Sequence, residues 1–167
     1  ILKISKLLIA EHENTKNFES IVFAINELER AITSKDIDDL VPKIIGNTIP
    51  YDLLVLWTYE KSTGVLSPRI EHGKNEDEIR RMQLRLGDGI VGKAAQERIT
   101  VFRQNISNDP TAIQVPGTPE KEEQAIIAIP LLFKDELMGV LSISRFNFWK
   151  FDEVKELPIF EILSDAI

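Results

Sequence analysis

"AIIAIPLLFKDELMGVLSISRF", Ala125–Phe146, is two apolar, β-rich runs separated by Lys134-Asp135-Glu136. Runs of that length on either side of a polar turn read as the two strands of a hairpin. Upstream, "YDLLVLWTYE", Tyr51–Glu60, is apolar on both of its alternating sets: Leu53, Val55 and Trp57 on one, Leu54 and Leu56 on the other. A strand of that kind is covered on both faces. "KSTG" then turns the chain into "VLSPRIEHG", a second strand. Pro68 marks a bulge or an edge in it, because proline has no N–H to give to a ladder.

The rest of the chain supplies helices around these strands. Ile37, Leu40, Val41, Ile44 and Ile45 share one helical face, capped by Ser34 or Asp36 and ended by Gly46-Asn47. Pro42 is expected to delay or bend that helix. "NEDEIRRMQ" and "IVGKAAQER" are short helices, and "TVFRQNI" is a strand. "SNDPTAIQVPGTPEKEEQ" is a long polar segment with room for one helical turn, and a last helix starts near Asp152. Strands joined by hairpins and short loops, with helices set apart from them, predict an α+β fold on an antiparallel sheet.

"LRLGDGIVGKAAQERI", Leu84–Ile99, contains Gly87-x-Gly89-x-x-Gly92, with Asp109 about 20 residues further on, the spacing of a dinucleotide fingerprint. The context fails it. The following helix is too short to cross a sheet, Asp88 stands between the first two glycines, and Asp109 lies in an "NDP" turn. The glycines read instead as a tight reversal, with Gly87 or Gly89 at positive φ and Gly92 allowing close helix–strand packing.

At 167 residues and 43% hydrophobic composition the chain is long and apolar enough for a folded core. A net charge of −7 argues against nucleic acid and against anionic membranes. Cysteine is absent, which removes disulfides and thiolate chemistry and fits a reducing, cytoplasmic setting. With only His12 and His72, a multi-histidine metal site is not expected. The longest apolar run, "AIIAIPLLF", falls short of the roughly 20 residues a bilayer requires. Both ends of the sequence read as cut from a longer chain.

"LRLGDGIVGKAAQERITVFRQNISNDP", followed by "AIIAIPLLFKDELMGVLSISR" and a final helix, resembles a GAF domain, a small-molecule sensor module of signalling proteins. The resemblance runs from about Phe18 to the end, giving residues 1–16 as a linker helix and 17–167 as the GAF domain. It implies an antiparallel sheet related to the PAS fold. Terminal helices are expected on one face, and a ligand pocket under short helices and loops on the other.

The family's chemistries divide on single residues. Bilin-holding members use a Cys thioether and GAF-fold methionine sulfoxide reductases use cysteine thiols; this sequence has neither. Haem-binding members need an axial ligand, for which His72 is the one candidate in the domain body; no cofactor is expected. Cyclic-nucleotide-binding members carry Asn-Lys, a gap, Phe, three residues, then Asp-Glu. Here the motif reads Ser144-Arg145, Phe148, Asp152-Glu153, so Asn and Lys are replaced. The resemblance implies an Arg145–Asp152 pair that braces the pocket with Phe148. A Phe148 or Phe151 core plug and an Asp152 helix cap explain the same residues. By position, His72, Thr111, Thr118 and Gln124 are the ligand-contact candidates, whereas Trp57 and Tyr59 read as core. The carboxylates of Asp88 and Asp109 lack a partner pattern for hydrolysis, so no catalytic residue is assigned.

The expected role is therefore regulatory. The domain binds a small ligand, a cyclic nucleotide or another molecule, and relays a shift to an output domain such as the histidine kinase of a two-component system. A ligand-free module that only dimerises and spaces its neighbours is the alternative. Phe18, Ile21, Ile25, Leu28 and Ile32 step by three and four, as a helical seam does. Val154, Leu157, Phe160, Leu163 and Ile167 form a second stripe. These predict a homodimer through terminal helices, with no nucleic acid and no membrane contact. The first stripe reads equally as a helix lying on its own domain.

Overall fold

The computed structural model describes residues 37–118, 123–147 and 149–160. Its elements are α1 (Ile37–Thr48), β1 (Leu53–Glu60), β2 (Val65–Gly73), α2 (Glu76–Ile79), β3 (Leu84–Arg85), α3 (Gly89–Glu97), β4 (Val101–Arg103), β5 (Gln124–Phe133) and β6 (Glu136–Phe146). The strands form one sheet in the order β3-β2-β1-β6-β5-β4, and every neighbouring pair is antiparallel. This is the expected α+β architecture.

The hairpin closes where the sequence places it. Phe133 pairs with Glu136, and Lys134 and Asp135 between them take φ of 50° and 63°. Positive φ at both central residues gives the turn a twist that matches the flanking strands. In the β1–β2 hairpin the register passes from Leu56↔Ile70 to Trp57↔Pro68, which leaves Arg69 as the bulged residue. On the other side of β2, β3 pairs only with Val65 and Leu66, so no strand pairs with Pro68 on that side.

The chain divides into two compact units, the sheet with its short helices over Tyr51–Asp152, and a helical unit whose described residues are 37–50 and 153–160. In the sheet unit one alternating set, Leu53, Val55 and Trp57 with Ile126, Val140 and Phe146, forms a core with Ile79, Ile90, Val91, Ala94 and Ala95 of α2 and α3. The opposite set, Leu54, Ile127, Ile129, Leu141 and Ile143, is buried as well, so β1 is covered on both faces.

The glycine turn behaves as a reversal. Gly87 and Gly89 take φ of 88° and 60°. The Gly87 N–H donates to the Gly92 carbonyl at 2.8 Å, and Asp88 Oδ2 accepts from the Arg85 N–H at 2.8 Å. A Cβ on Gly92 would stand 2.4 Å from the Arg85 carbonyl oxygen, so α3 can lie against β3 only with glycine there.

The helical unit departs from expectation at its boundaries. α1 runs through Pro42 and through Gly46 and Asn47 to Thr48, rather than starting after the proline or stopping at the glycine. Val41, Ile45 and Ile49 are buried at helical spacing, and that apolar ridge outweighs the local cost of proline and glycine. The last helix starts later than Asp152. Residues 153–156 are turns and 157–160 are helical, which puts Pro158 in the first turn, where its missing N–H costs nothing. Val154 stands in those turns, 84% exposed, so it leaves the predicted stripe, whereas Phe160 is fully buried. The seam residues Phe18 to Ile32, with Leu163 and Ile167, lie outside the described residues.

Candidate functional site

The core face of the sheet carries a cavity of about 320 Å³ between β1, β5 and β6, α2, and the segment that follows β4. Its floor is apolar, formed by Leu53, Ile79, Ile106, Val115 and Phe146. Its rim is polar, formed by Asn75, Ser107, Asp109, Gln114, Thr118 and Gln124. A narrower extension of about 70 Å³ continues toward Trp57, Ser142, Ser144 and the start of α3. Ligand sites commonly combine an apolar body with a few convergent polar groups.

The register explains which side chains reach this space. Gln124 opens β5 opposite Phe146, and Ile126 sits opposite Ser144, so Gln124, Ser144 and Phe146 share the cavity face. Gln124 Nε2 donates to Ser144 Oγ at 2.8 Å. Deeper in, the Trp57 indole N–H donates to Ser142 Oγ at 2.9 Å, which satisfies a polar pair inside the core.

The segment after β4 is held in shape by its own short-range bonds. Asp109 Oδ1 accepts from the backbone N–H and the hydroxyl of Thr111, at 2.8 and 2.6 Å, an Asx turn started by the "NDP" sequence. Asp109 Oδ2 accepts from Arg103 Nε at 3.2 Å. These bonds, those from Thr111 foremost and that from Arg103 after them, hold the Asp109 carboxyl below the usual aspartate range. Further along, Gln114 Nε2 donates to the hydroxyl of Thr118 at 2.8 Å, and that hydroxyl donates to the Val115 carbonyl at 2.7 Å. Asn105 supplies a second Asx turn through the Ser107 N–H at 2.9 Å.

The sequence-predicted contact residues separate into two groups. Thr118 and Gln124 line the cavity. Thr111 stands one bond behind it, shaping Asp109. His72 pairs with Leu54 on the opposite alternating set, and its Nδ1 lies 3.0 Å from the Tyr51 hydroxyl with the rings edge to face. Burial raises the Tyr51 pKa. Of the bracing group, Arg145 pairs with Ala125, off the cavity face. Its guanidinium stacks over Trp149 and Phe151 and donates to the Lys150 carbonyl at 3.1 Å. Phe148 lies outside the described residues. Asp88 and Asp109, weighed above as hydrolytic carboxylates, both serve turns. Asn75, Ser107 and Asp109 are rim residues that sequence reasoning did not place there. In sequence Asn75 reads only as the first residue of the short helix "NEDEIRRMQ"; it takes φ of 62°, which asparagine tolerates.

The fold agrees with the comparisons. A family model described as GAF domain matches residues 34–167. The chain belongs to the GAF domain family. GAF domains are regulatory and sensor modules of signalling proteins. The chain is similar in structure to the GAF domain of an Acinetobacter phosphoenolpyruvate-protein phosphotransferase, at 17% identity and a TM-score of 0.68 over 90% of this chain and 92% of that one. It is similar to the corresponding domain from Coxiella burnetii, at 18% identity and 0.68 over 89% of each. It is also similar to a free methionine-R-sulfoxide reductase from Neisseria meningitidis solved with its substrate, at 15% identity and 0.67 over 92% and 89%. At such identities the likeness shows the shared GAF fold. No curated protein matches the chain. Among the described residues, no helix of this GAF domain is long and apolar enough to cross a membrane.

Proposed function

We propose that this GAF domain is the ligand-sensing part of a signalling protein, with the cavity on the core face of its sheet as the binding site. One observation carries the reading: a space of about 320 Å³ whose apolar floor is ringed by hydrogen-bonding side chains. That volume is at the small end of the roughly 300–1,000 Å³ usual for ligand sites. Thr118 and Gln124 are the contacts carried over from the sequence, and Thr111 acts through Asp109. The ligand shifts the 104–118 segment, and the shift leaves the domain through the terminal helices toward an output domain. Those helices pair two copies of the chain, through the Phe18–Ile32 seam first. The Arg145–Asp152 pair, with Phe148, supports the exit of the last strand.

The test is a thermal-unfolding screen of the purified chain against fractions of a small-molecule cell extract, with Ala112→Trp as the control. Ala112 borders both parts of the cavity. A fraction that raises the midpoint of the wild type and not of the filled variant supports the reading. A variant and wild type that respond alike, or no response at all, leaves the domain as a dimerising spacer.

A further inference from the structure

We infer that the cavity selects an uncharged ligand with an amide-like end, and that it rejects phosphates and carboxylates. This rests on the proposed function, because it names the chemistry of that same site. Among the described lining residues the only ionisable side chain is Asp109, a carboxylate. It is neutralised in place by Arg103 and the two bonds from Thr111. An anion entering this space loses its water and meets no cation among these lining residues, and a desolvated charge without a partner is strongly disfavoured. Lys74, next to the rim, holds its ammonium over the Phe146 ring, 4.5 Å from the centroid. The first turn of α3 borders the narrow extension, yet the Asp88 carboxylate stands at that end and offsets the helix field.

The uncommitted hydrogen-bonding capacity has the opposite character. Gln124 gives one amide hydrogen to Ser144, which leaves the other hydrogen as a donor and Oε1 as an acceptor at the rim. Asn75 makes no capping bond with its side chain and brings a carboxamide, with one acceptor and two donor hydrogens. Ser107 adds a hydroxyl. A neutral group that both donates and accepts, as a carboxamide or a ring lactam does, satisfies this set, while its apolar body lies over Leu53, Ile106 and Phe146. A cyclic nucleotide satisfies the same acceptors with its base but brings a phosphate that nothing on the described rim receives.

The experiment is amide-nitrogen NMR of the full chain with matched pairs: nicotinamide against nicotinate, benzamide against benzoate, and adenosine and guanosine against their cyclic monophosphates. The expected result is that neutral members shift the Ser107, Thr118 and Gln124 amides and bind at least about tenfold tighter than their anionic partners. Ser107→Arg, which adds a cation at the rim, should narrow or reverse that ratio. Anionic members that bind as tightly or more tightly overturn this inference and leave the cavity as a ligand site. No shift at those amides from any member at millimolar concentration overturns the cavity reading itself, and this inference with it.

Discussion

Gln104 and Phe151 hold one another by a reciprocal pair of hydrogen bonds: Gln104 Nε2 donates to the Phe151 carbonyl at 2.8 Å, and the Phe151 N–H donates to Gln104 Oε1 at 3.1 Å. The Phe102 and Phe151 rings meet edge to face at 5.9 Å, and the Arg145 guanidinium lies 4.2 Å from the Phe151 ring centroid. Gln104 opens the segment that rims the cavity, and Phe151 stands at the end of the sheet unit. Gln104 thus ties the start of that rim segment to the backbone where the chain leaves the sheet.

Gln104→Ala removes both bonds. It should destabilise the domain by about 1–3 kcal/mol, the net worth of two partly buried hydrogen bonds, and lower the exchange protection of the Phe151 amide. Denaturant unfolding and hydrogen exchange measure the two effects. Unchanged protection at Phe151 would show that the link carries no load.

The turn glycines differ in what they resist. Gly87→Ala forces a side chain into positive φ and should cost about 1 kcal/mol or more. Gly92→Ala puts a Cβ against the Arg85 carbonyl and should cost more, roughly 3 kcal/mol, the upper end for overpacking. Equal losses in urea unfolding would contradict the close approach of α3 to β3.

Acid should open the rim, and only strong acid. The folded pKa of Asp109 is depressed by Thr111 and then Arg103. Its contribution is therefore present above the unfolded value of about 3.9 and is lost as pH falls through the lower folded value. The Thr111 and Ala112 amide resonances should hold steady from neutral pH down to about 5 and move only below about 3.9. Movement near pH 5 or above would mean that the Asx turn is not what orders the segment.

Much of the sheet was legible because its signals are local. Lys134-Asp135 between two apolar runs places the hairpin, the double apolar face of Leu53–Trp57 places a covered strand, and Pro68 marks its own bulge. The cavity was not legible in the same way. Asn75, Ser107 and Gln124 meet there only through strand register and the course of a polar segment, and neither leaves a periodic trace. His72 looked equivalent to Gln124 in sequence, yet the pairing with Leu54 turns it to the other alternating set. Helix boundaries failed where propensity competes with packing, since Pro42 and Gly46 are carried inside α1 by the buried Val41–Ile45–Ile49 ridge.

The dimer reading has its own test. Ile25→Glu places a charge in the seam predicted from Phe18 to Ile32. It should convert a dimer to folded monomers in sedimentation experiments. A wild-type chain that sediments as a monomer at high micromolar concentration, or a variant that unfolds instead of dissociating, would contradict pairing through that seam.

Native mass spectrometry of the chain, purified gently from cells, addresses the central claim. A molecule seated on Leu53, Ile106 and Phe146 and held at the rim by Gln124 should appear as an added mass on the polypeptide. That mass should be lost on collisional activation and absent from Ala112→Trp. A bare polypeptide mass for the wild type, or an added mass that survives unchanged in the filled variant, would contradict a sensing role for this cavity.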